Sequence, residues 1–319
     1  MENPQLLETA RAILAQPTAP FHEDAVRAEI FLQLAQLPHV HAEPDGFGNI
    51  VALYRRGTHE PRFALAAHMD HPGYVGDRFM GGVPEEYRKK NPPRRDFGAF
   101  SMWDLPAFEL KEGRIYSRAC DDLIGCTAIV QTFRELEASG AECAVYGLFT
   151  RAEEVGFVGA IQLARSEVLP RNVTVVSLET SSAKGGPATM GAGPIIRVGD
   201  RTSIFDSLAT AQLTHIAKQA GIPHQRLLMS GGTCEATAYQ LYGYRTAGLC
   251  VALGNYHNCG ENTEIAAEYV SLADVEGLVK LCTALSATRD LPDPLTTLRE
   301  RLERDVESYR PFWQSPAES

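Results

Sequence analysis

The sequence of 319 residues has no apolar run close to the roughly 20 residues that a membrane-spanning helix requires. It also has no internal repeat, no low-complexity segment and no apolar N-terminal stretch of the signal-peptide kind. Cys-x-x-Cys pairs are absent, and the seven cysteines are an odd number. We therefore expect reduced thiols and a cytoplasmic protein without a membrane partner. A disulfide framework or a zinc–thiolate site has no support.

Basic residues are outnumbered, because 30 Lys and Arg stand against 40 Asp and Glu, and the formal net charge is −10. This balance argues against nucleic acid as a partner. Hydrophobic residues make up 44% of the chain and charged residues 22%, which is the composition of a globular protein. The length is sufficient for one large core with a small insertion.

Apolar segments of strand length alternate with helical segments over most of the chain. Examples are the strand FALAAHM at 63–69, the helix DDLIGCTAIVQTFRELEASG at 121–140 and the strand VTVVSLE at 173–179. Strands that are apolar without strict alternation are covered on both faces of their sheet. The pattern predicts an α/β fold, a three-layer α/β/α sandwich with a mixed, mostly parallel sheet.

Residues 72–118 interrupt this alternation, because they are rich in proline, glycine, arginine and aromatic residues. Within them, FELKEGRIYS at 108–117 has the pattern of a β-hairpin. We interpret 72–118 as a small β-rich insertion, with a long functional loop as the alternative. Residues 1–71 and 119–319 would then form one discontinuous catalytic domain.

Histidines and carboxylates follow the apolar strands at the point where each strand ends. In open α/β sheets, ligands bind outside the carboxyl ends of the strands, so these side chains could meet at one rim. One further acidic pair opens a predicted helix. Together these positions supply His68, Asp70, Asp121, Glu153, Glu154, Glu179 and His257.

This mixture of side chains is what a site for two divalent cations needs. Imidazole and carboxylate groups bind zinc and similar ions, and a carboxylate can bridge two of them. A free carboxylate nearby can accept a proton from the attacking water. Ordinary interpretations remain: the pair Asp121 and Asp122 could cap a helix, and Glu179 could form a buried salt bridge. Glu153 and Glu154 could belong to a solvated acidic loop.

Around these residues the sequence resembles the cocatalytic dizinc aminopeptidases, and most closely the glutamyl-aminopeptidase or TET (tetrahedral aminopeptidase) family. The matching motifs, in chain order, are AHMD, ACDDLIG, RAEEVGFVGA, SLET, SGGTCEA and NYHN. The insertion lies between Asp70 and Asp121, where TET-type enzymes carry an accessory domain. The resemblance implies two divalent metal ions, zinc first with cobalt or manganese as alternatives. It also implies a peptide substrate and a homo-oligomer.

The resemblance assigns metal-binding roles to five residues. His68 and Glu179 would bind one metal ion. Glu154 and His257 would bind the other, with Asp121 as the bridge between the two ions. Three departures from the family pattern accompany this assignment. Glu179 stands where Asp is usual, and the other two are His71 in place of an acidic residue and Asn255 in place of an arginine.

Two further residues would act beside the metal ions. Glu153 would be the general base and acid, and Asp70 would hold the ring of His68. The implied function is an aminopeptidase that removes N-terminal residues from peptides through a dinuclear metal-activated water. The alternatives are a metal-dependent deacylase of small N-acyl compounds, a glycosidase that uses Glu153 and Glu154, and a binding protein without activity. The insertion is about half the size expected for the family, which leaves the tetrahedral assembly open.

Overall fold

Four apolar runs of the sequence form the parallel centre of one large sheet in the computed structural model, which describes residues 3–291 and 293–313. With elements numbered in chain order, the four are β3 (Phe63–His68), β10 (Ala144–Thr150), β11 (Thr174–Ser182) and β14 (Arg245–Gly254). They lie in the order β10-β3-β11-β14, and each neighbouring pair is parallel. Their carboxyl ends therefore reach the same edge of the sheet.

Antiparallel strands extend this centre on both sides, so the large sheet is mixed. β1 (Val40–Pro44) and β2 (Ile50–Arg55) form a hairpin, and β2 pairs with β10. On the other side, β14 pairs with both β12 and β15. The strands of that side are β8 (Glu109–Lys111), β9 (Arg114–Ser117), β12 (Ile195–Gly199), β13 (Gln225–Leu228) and β15 (Glu268–Ser271).

Helices cover both faces of the sheet, which confirms the α/β fold class. One face carries α1 (Pro4–Leu14), α2 (Asp24–Leu34), α4 (Cys120–Ser139), α6 (Ser207–Gln219) and α8 (Leu272–Ala287). The other face carries α5 (Val158–Ser166) and α7 (Glu235–Leu241). The helix α9 (Pro294–Tyr309) follows and contacts α6. Short 3-10 turns occur at Tyr256–Asn258, Glu261–Thr263 and Arg310–Phe312.

Burial on both faces explains why the central strands are apolar at most of their positions. In β3, Phe63, Leu65 and Ala67 pack against the face that holds α4, while Ala64 and Ala66 pack against the face that holds α5. Successive side chains of a strand point to opposite faces. A strand that is buried on both faces is therefore apolar at most positions. Among the described residues, no helix is both long and apolar enough to cross a membrane.

The segment 72–118 has two structural parts. A four-stranded sheet of its own contains β4 (Gly73–Val75), β5 (Arg78–Met80), β6 (Arg94–Asp96) and β7 (Phe100–Trp103), with α3 (Glu85–Arg88) beside it. The hairpin predicted at 108–117 is present as β8 and β9, and it pairs with β15 at the edge of the large sheet. The division of the chain into two domains stays a prediction.

Candidate metal centre

The carboxyl edge of the parallel strands brings the seven predicted site residues together. Among the described residues, there are two groups of three side chains in which the potential metal-ligand atoms of one group all lie within 4.8 Å of one another. The first group is His68, Glu153 and Glu179, and the second is Asp121, Glu154 and His257. Residues that are far apart along the chain thus share one rim, because parallel strands deliver their ends to the same place.

Asp121 connects the two groups. Its Oδ1 lies 3.4 Å from Nε2 of His68, and its Oδ2 lies 3.6 Å from Nε2 of His257. One carboxylate therefore offers a different oxygen to each imidazole. Nε2 of His257 is also 3.3 Å from Oε1 of Glu154, and Nε2 of His68 is 4.0 Å from Oε2 of Glu153. This is the geometry that a bridging carboxylate requires.

Asp121 and Asp122, at the start of α4, have different contacts: the first faces the site and the second caps the helix. Asp121 has φ −81° and ψ 108°, which is not helical, and its side chain points to the histidines. Asp122 accepts a hydrogen bond from the backbone N–H of Gly125 at 3.1 Å, as a capping residue does. A Cβ at Gly125 would lie 2.4 Å from the carboxylate of Asp122, so this cap needs glycine. The capping interpretation is correct for the second residue of the pair.

Asp70 contacts both His68 and the loop that follows β10. Nδ1 of His68 lies 3.1 Å from the backbone carbonyl oxygen of Asp70 and 3.5 Å from its Oδ1. The carboxylate accepts hydrogen bonds from the backbone N–H groups of Glu153 (2.9 Å) and Glu154 (3.1 Å). Asp70 therefore orients the imidazole mainly through its main chain and positions the two glutamates with its side chain.

The loop that carries the glutamates is also held from the N-terminal region. Glu23 is fully buried, and its carboxylate accepts hydrogen bonds from Nε of Arg151 at 2.7 Å and from the backbone N–H of Ala152 at 3.1 Å. Ala152 has φ 53°, in the left-handed region that costs a non-glycine residue about 1–3 kcal/mol. These contacts hold the backbone in a conformation that it would not adopt alone.

The backbone of Asp121 is held at both ends. Its N–H donates to Oε2 of Glu268 at 3.0 Å, and its carbonyl oxygen lies 2.7 Å from Nδ1 of His71. Nε2 of His71 lies 3.0 Å from Oδ1 of Asn258, whose amide donates to the carbonyl of Arg118 at 3.1 Å. His71 thus connects the end of β3, the start of α4 and the loop after β14. The histidine at this position, where the resemblance implies an acidic residue, thus has a structural role.

His257 lies on a loop with an unusual backbone. Its φ is 53°, and the neighbouring Asn255 and Asn258 also have left-handed φ values. The ring of Tyr256 stacks on the ring of His257 with centroids 4.0 Å apart. Gly82 of the small sheet region approaches so closely that a Cβ there would lie 3.3 Å from the imidazole. The insertion therefore forms one wall beside His257.

The site concentrates negative charge in a buried place. Burial raises the pKa of the Glu153 carboxyl well above its usual range, with the charges of Glu179 and Glu154 adding to the effect. Burial likewise raises the pKa of Glu179 to about 8, although His68 and Arg197 act in the opposite direction. Such a group of carboxylates is most stable when a cation lies among them.

Asp121 behaves differently from these glutamates. Burial alone would raise the pKa of its carboxyl, but the nearby imidazoles of His257 and His68 hold that pKa well below the usual range. The same contacts raise the pKa of both imidazoles well above normal, against the effect of burial. The lowered pKa favours the negatively charged form of Asp121.

The donor set fits divalent cations. Oδ1 of Asp121 and Oε1 of Glu154 are buried and have no hydrogen-bond donor among the described residues. Within residues 3–291 and 293–313, no lysine or arginine forms an ion pair with Asp121 or Glu179. A buried carboxylate oxygen without a donor costs free energy unless a cation or water contacts it. Zinc, cobalt and manganese all accept this mixture of imidazole and carboxylate ligands.

A cleft of about 550 Å³ opens beside the two groups. Its walls are formed by His68, Asp121, Glu153, Glu154, Glu179 and His257 on one side, and by the segments 180–187 and 229–234 on the other. The volume is within the range of pockets that hold a small ligand. Glycines at 185, 186, 231 and 232 line the cleft together with larger side chains such as Lys184 and Met229.

Several buried residues around the site were not identified from the sequence. Asp200 accepts hydrogen bonds from the backbone N–H of Cys234 at 3.0 Å and the hydroxyl of Thr237 at 2.6 Å, which holds the cleft wall to α7. It directly follows β12, but this strand is antiparallel to β14, so the rule for the carboxyl ends of parallel strands does not apply to it. Glu23 and Glu268 carry no local signal either, because their partners lie far away in sequence.

The fold is shared with solved TET peptidases. The TET1 peptidase of Pyrococcus horikoshii has a TM-score of 0.72 and 23% identity, over 88% of this chain and 99% of that one. A TET aminopeptidase from a marine sediment Thaumarchaeota archaeon has a TM-score of 0.75 and 21% identity, over 91% and 98% of the two chains. At these identities the likeness is one of fold.

Sequence comparison gives the family. A curated protein of Acetivibrio thermocellus, named "Putative aminopeptidase", is 26% identical over 178 residues, which is 54% of this chain and 51% of that relative. The matched region thus spans about half the length of the relative. The family model described as M42 glutamyl aminopeptidase matches residues 95–281, more than half of the chain. With the site and the fold in agreement, this chain belongs to the M42 glutamyl aminopeptidase family.

Proposed function

We propose that this protein is a metal-dependent aminopeptidase that hydrolyses the N-terminal peptide bond of peptides. The observation that carries the proposal is Asp121, whose two carboxylate oxygens face His68 and His257, each with a further glutamate beside it. His68 and Glu179 would hold one divalent cation, and Glu154 and His257 the other. Zinc is the first candidate for both.

When bound, a pair of divalent cations makes water a usable nucleophile near neutral pH and polarises a peptide carbonyl. Glu153 is the general base and acid in this proposal. Its position supports the role, because its Oε2 lies 4.0 Å from Nε2 of His68, beside both groups of ligand atoms. Glu153 accepts a proton from the attacking water and delivers it to the departing amine. Asp70 holds the backbone of Glu153 in place for both transfers.

The cleft supports an exopeptidase. A free α-amine of the substrate would lie among the site carboxylates, and the side chain of the first residue would extend toward segments 180–187 and 229–234. We also propose a homo-oligomer, because the TET1 peptidase of Pyrococcus horikoshii, which shares this fold, can assemble into a tetrahedron or a large octahedral shell.

The test combines metal analysis with a substrate panel. Purified protein should contain two equivalents of a divalent metal, and it should release aniline from aminoacyl anilides in a reaction that a chelator abolishes and added zinc restores. N-acyl amino acids serve as the second arm. Hydrolysis of N-acyl compounds without hydrolysis of aminoacyl anilides would replace the proposal with the deacylase alternative, and activity that survives the chelator would reject both.

A further inference from the structure

The C-terminal helix α9 is exposed along almost its entire length. It contains no buried residue, and its half-buried residues, Pro294, Leu295 and Thr296, are all in the first turn, where the helix contacts α6. A helix of 16 residues is marginally stable in water when nothing packs against it. Its presence as a regular helix therefore calls for a surface that covers its apolar side.

The apolar side of α9 is well defined. With about 3.6 residues per turn, its large apolar residues fall within one stripe, roughly a quarter of the circumference. We call this the α9 stripe; it consists of Leu295, Leu298, Leu302, Val306 and Tyr309. Leu302 is 49% exposed and Tyr309 is 64% exposed. Six of the fourteen large apolar side chains that are most exposed in the described residues lie between 298 and 313, so this is a concentrated patch.

The charges around the stripe indicate what covers it. Within α9 three arginines stand beside four acidic residues, so the charges of the helix nearly balance. An anionic membrane or a nucleic acid would favour a polar face rich in Lys and Arg, which this helix lacks. A helix with both arginine and acidic side chains can pair each charge with an opposite charge on a partner that also has both.

We propose that the α9 stripe is a self-association surface, on which α9 of a second copy of this chain packs antiparallel about a two-fold axis at Leu302. In such a pair, each flank of one helix faces the same flank of the other. Arg299 and Glu303 lie on one flank, so Arg299 meets Glu303 of the second copy. A parallel pair would bring Arg299 nearest to Arg301 of the second copy, which like-charge repulsion disfavours.

The second flank gives the same result independently. Arg301 and Asp305 lie there, and the antiparallel arrangement brings Arg301 of one copy to Asp305 of the other. The register that centres Leu302 on the axis thus places opposite charges together on both flanks while it buries the apolar stripe. The surface is remote from the cleft, since no residue of α9 lines it, and the inference does not depend on the proposed function.

Cysteine cross-linking tests the register directly. Leu302→Cys places a thiol at the two-fold axis, and Arg304→Cys places one on the opposite side of the same helix as the matched control. Six native cysteines are buried, and the unsubstituted chain controls for Cys259. Mild oxidation should give a covalent dimer on a non-reducing gel for Leu302→Cys and not for Arg304→Cys. Equal cross-linking of the two variants, or none for Leu302→Cys, would overturn the proposal.

Sedimentation velocity tests the energetics. Leu302→Gln should weaken self-association at least ten-fold, whereas Arg304→Gln should leave it unchanged, with circular dichroism showing that both are folded. Arg299→Glu should weaken it as well, and adding Glu303→Arg should restore it. Identical masses for the unsubstituted chain and Leu302→Gln would reject self-association through the α9 stripe. So would co-sedimentation of the monomer with phosphatidylserine vesicles that Leu302→Gln abolishes, because the occupant would then be a lipid surface.

Discussion

The two halves of the candidate metal centre are constructed differently. On one half, His68 ends the buried strand β3 and Glu179 lies within the buried strand β11, so hydrogen-bonded neighbours hold both backbones. On the other half, Glu154 and His257 lie on loops, and His257 has a left-handed backbone. We call these the strand side and the loop side.

The two sides differ in what positions their side chains. The strand side is positioned by the sheet itself, because burial on both faces allows little movement. The loop side depends on contacts from other parts of the chain: the carboxylate of Asp70, the ring of Tyr256 and the close approach of Gly82. We therefore expect the strand side to hold a cation more tightly than the loop side does.

The largest effect should come from Glu153→Gln, which separates chemistry from metal binding. Loss of the general base should lower kcat by about 10²- to 10⁴-fold while the protein still holds two metal equivalents. Steady-state kinetics and metal analysis on the same preparation measure both quantities. Glu154→Gln is the neighbouring control and should lose metal from the loop side. If Glu153→Gln lost as much metal as Glu154→Gln, the assignment of the base would be wrong.

Stepwise metal removal should distinguish the two sides. Titration with a chelator should release one equivalent before the other. His257→Ala should bind only the tighter equivalent, and His68→Ala only the weaker one. Isothermal titration with zinc of the metal-free proteins gives the two dissociation constants. Release of both equivalents in a single step from the unsubstituted protein would contradict the difference between the sides.

His71→Leu should weaken metal binding without removing a ligand. The variant loses the contacts of His71 with the carbonyl oxygen of Asp121 and with the side chain of Asn258. Loss of such an outer contact typically costs about 10- to 100-fold in metal affinity. Zinc titration measures it, and His41→Leu, at a largely exposed position far from the site, is the control. Affinity within two-fold of normal would show that His71 only fills space.

Asp200→Asn should have the smallest effect on chemistry and a measurable one on stability. Burial alone would raise the pKa of this carboxyl, but hydrogen bonds from Thr237, Cys234 and neighbouring backbone N–H groups lower it. A depressed pKa means that the stabilisation is complete above the unfolded value of about 4 and is lost as the pH falls through the folded value. The substitution should cost about 1.5–3 kcal/mol at pH 7.

Urea denaturation at pH 7 and at acidic pH measures this cost. The difference between Asp200→Asn and the unsubstituted chain should shrink as the pH falls, since protonation removes the same charge from the native side chain. Asp77→Asn, at an exposed position, is the control and should change stability little. A difference that is constant with pH would mean that the lost interaction is not ionic.

Much of the fold could be predicted because burial leaves a direct mark on composition. A strand covered on both faces is apolar at most positions, as β3 is from Phe63 to Ala67 and β14 from Ala247 to Leu253, and helices between such strands imply a layered α/β arrangement. Residues 72–118 were predicted to be β-rich, but the four strands at 73–103 were not located, because strands of three or four residues show no periodicity and include charged residues, as in Arg94–Asp96.

What the sequence determined by itself is the identity and order of the side chains that meet at the rim, since parallel strands deliver their ends to one edge of a sheet. Only the tertiary structure decided which of them face each other and what holds them there. The partners of Arg151 and Asp121 lie 128 and 147 residues away, at Glu23 and Glu268. A hydrogen bond over such a separation leaves no trace in local sequence pattern, because packing of the whole chain creates it.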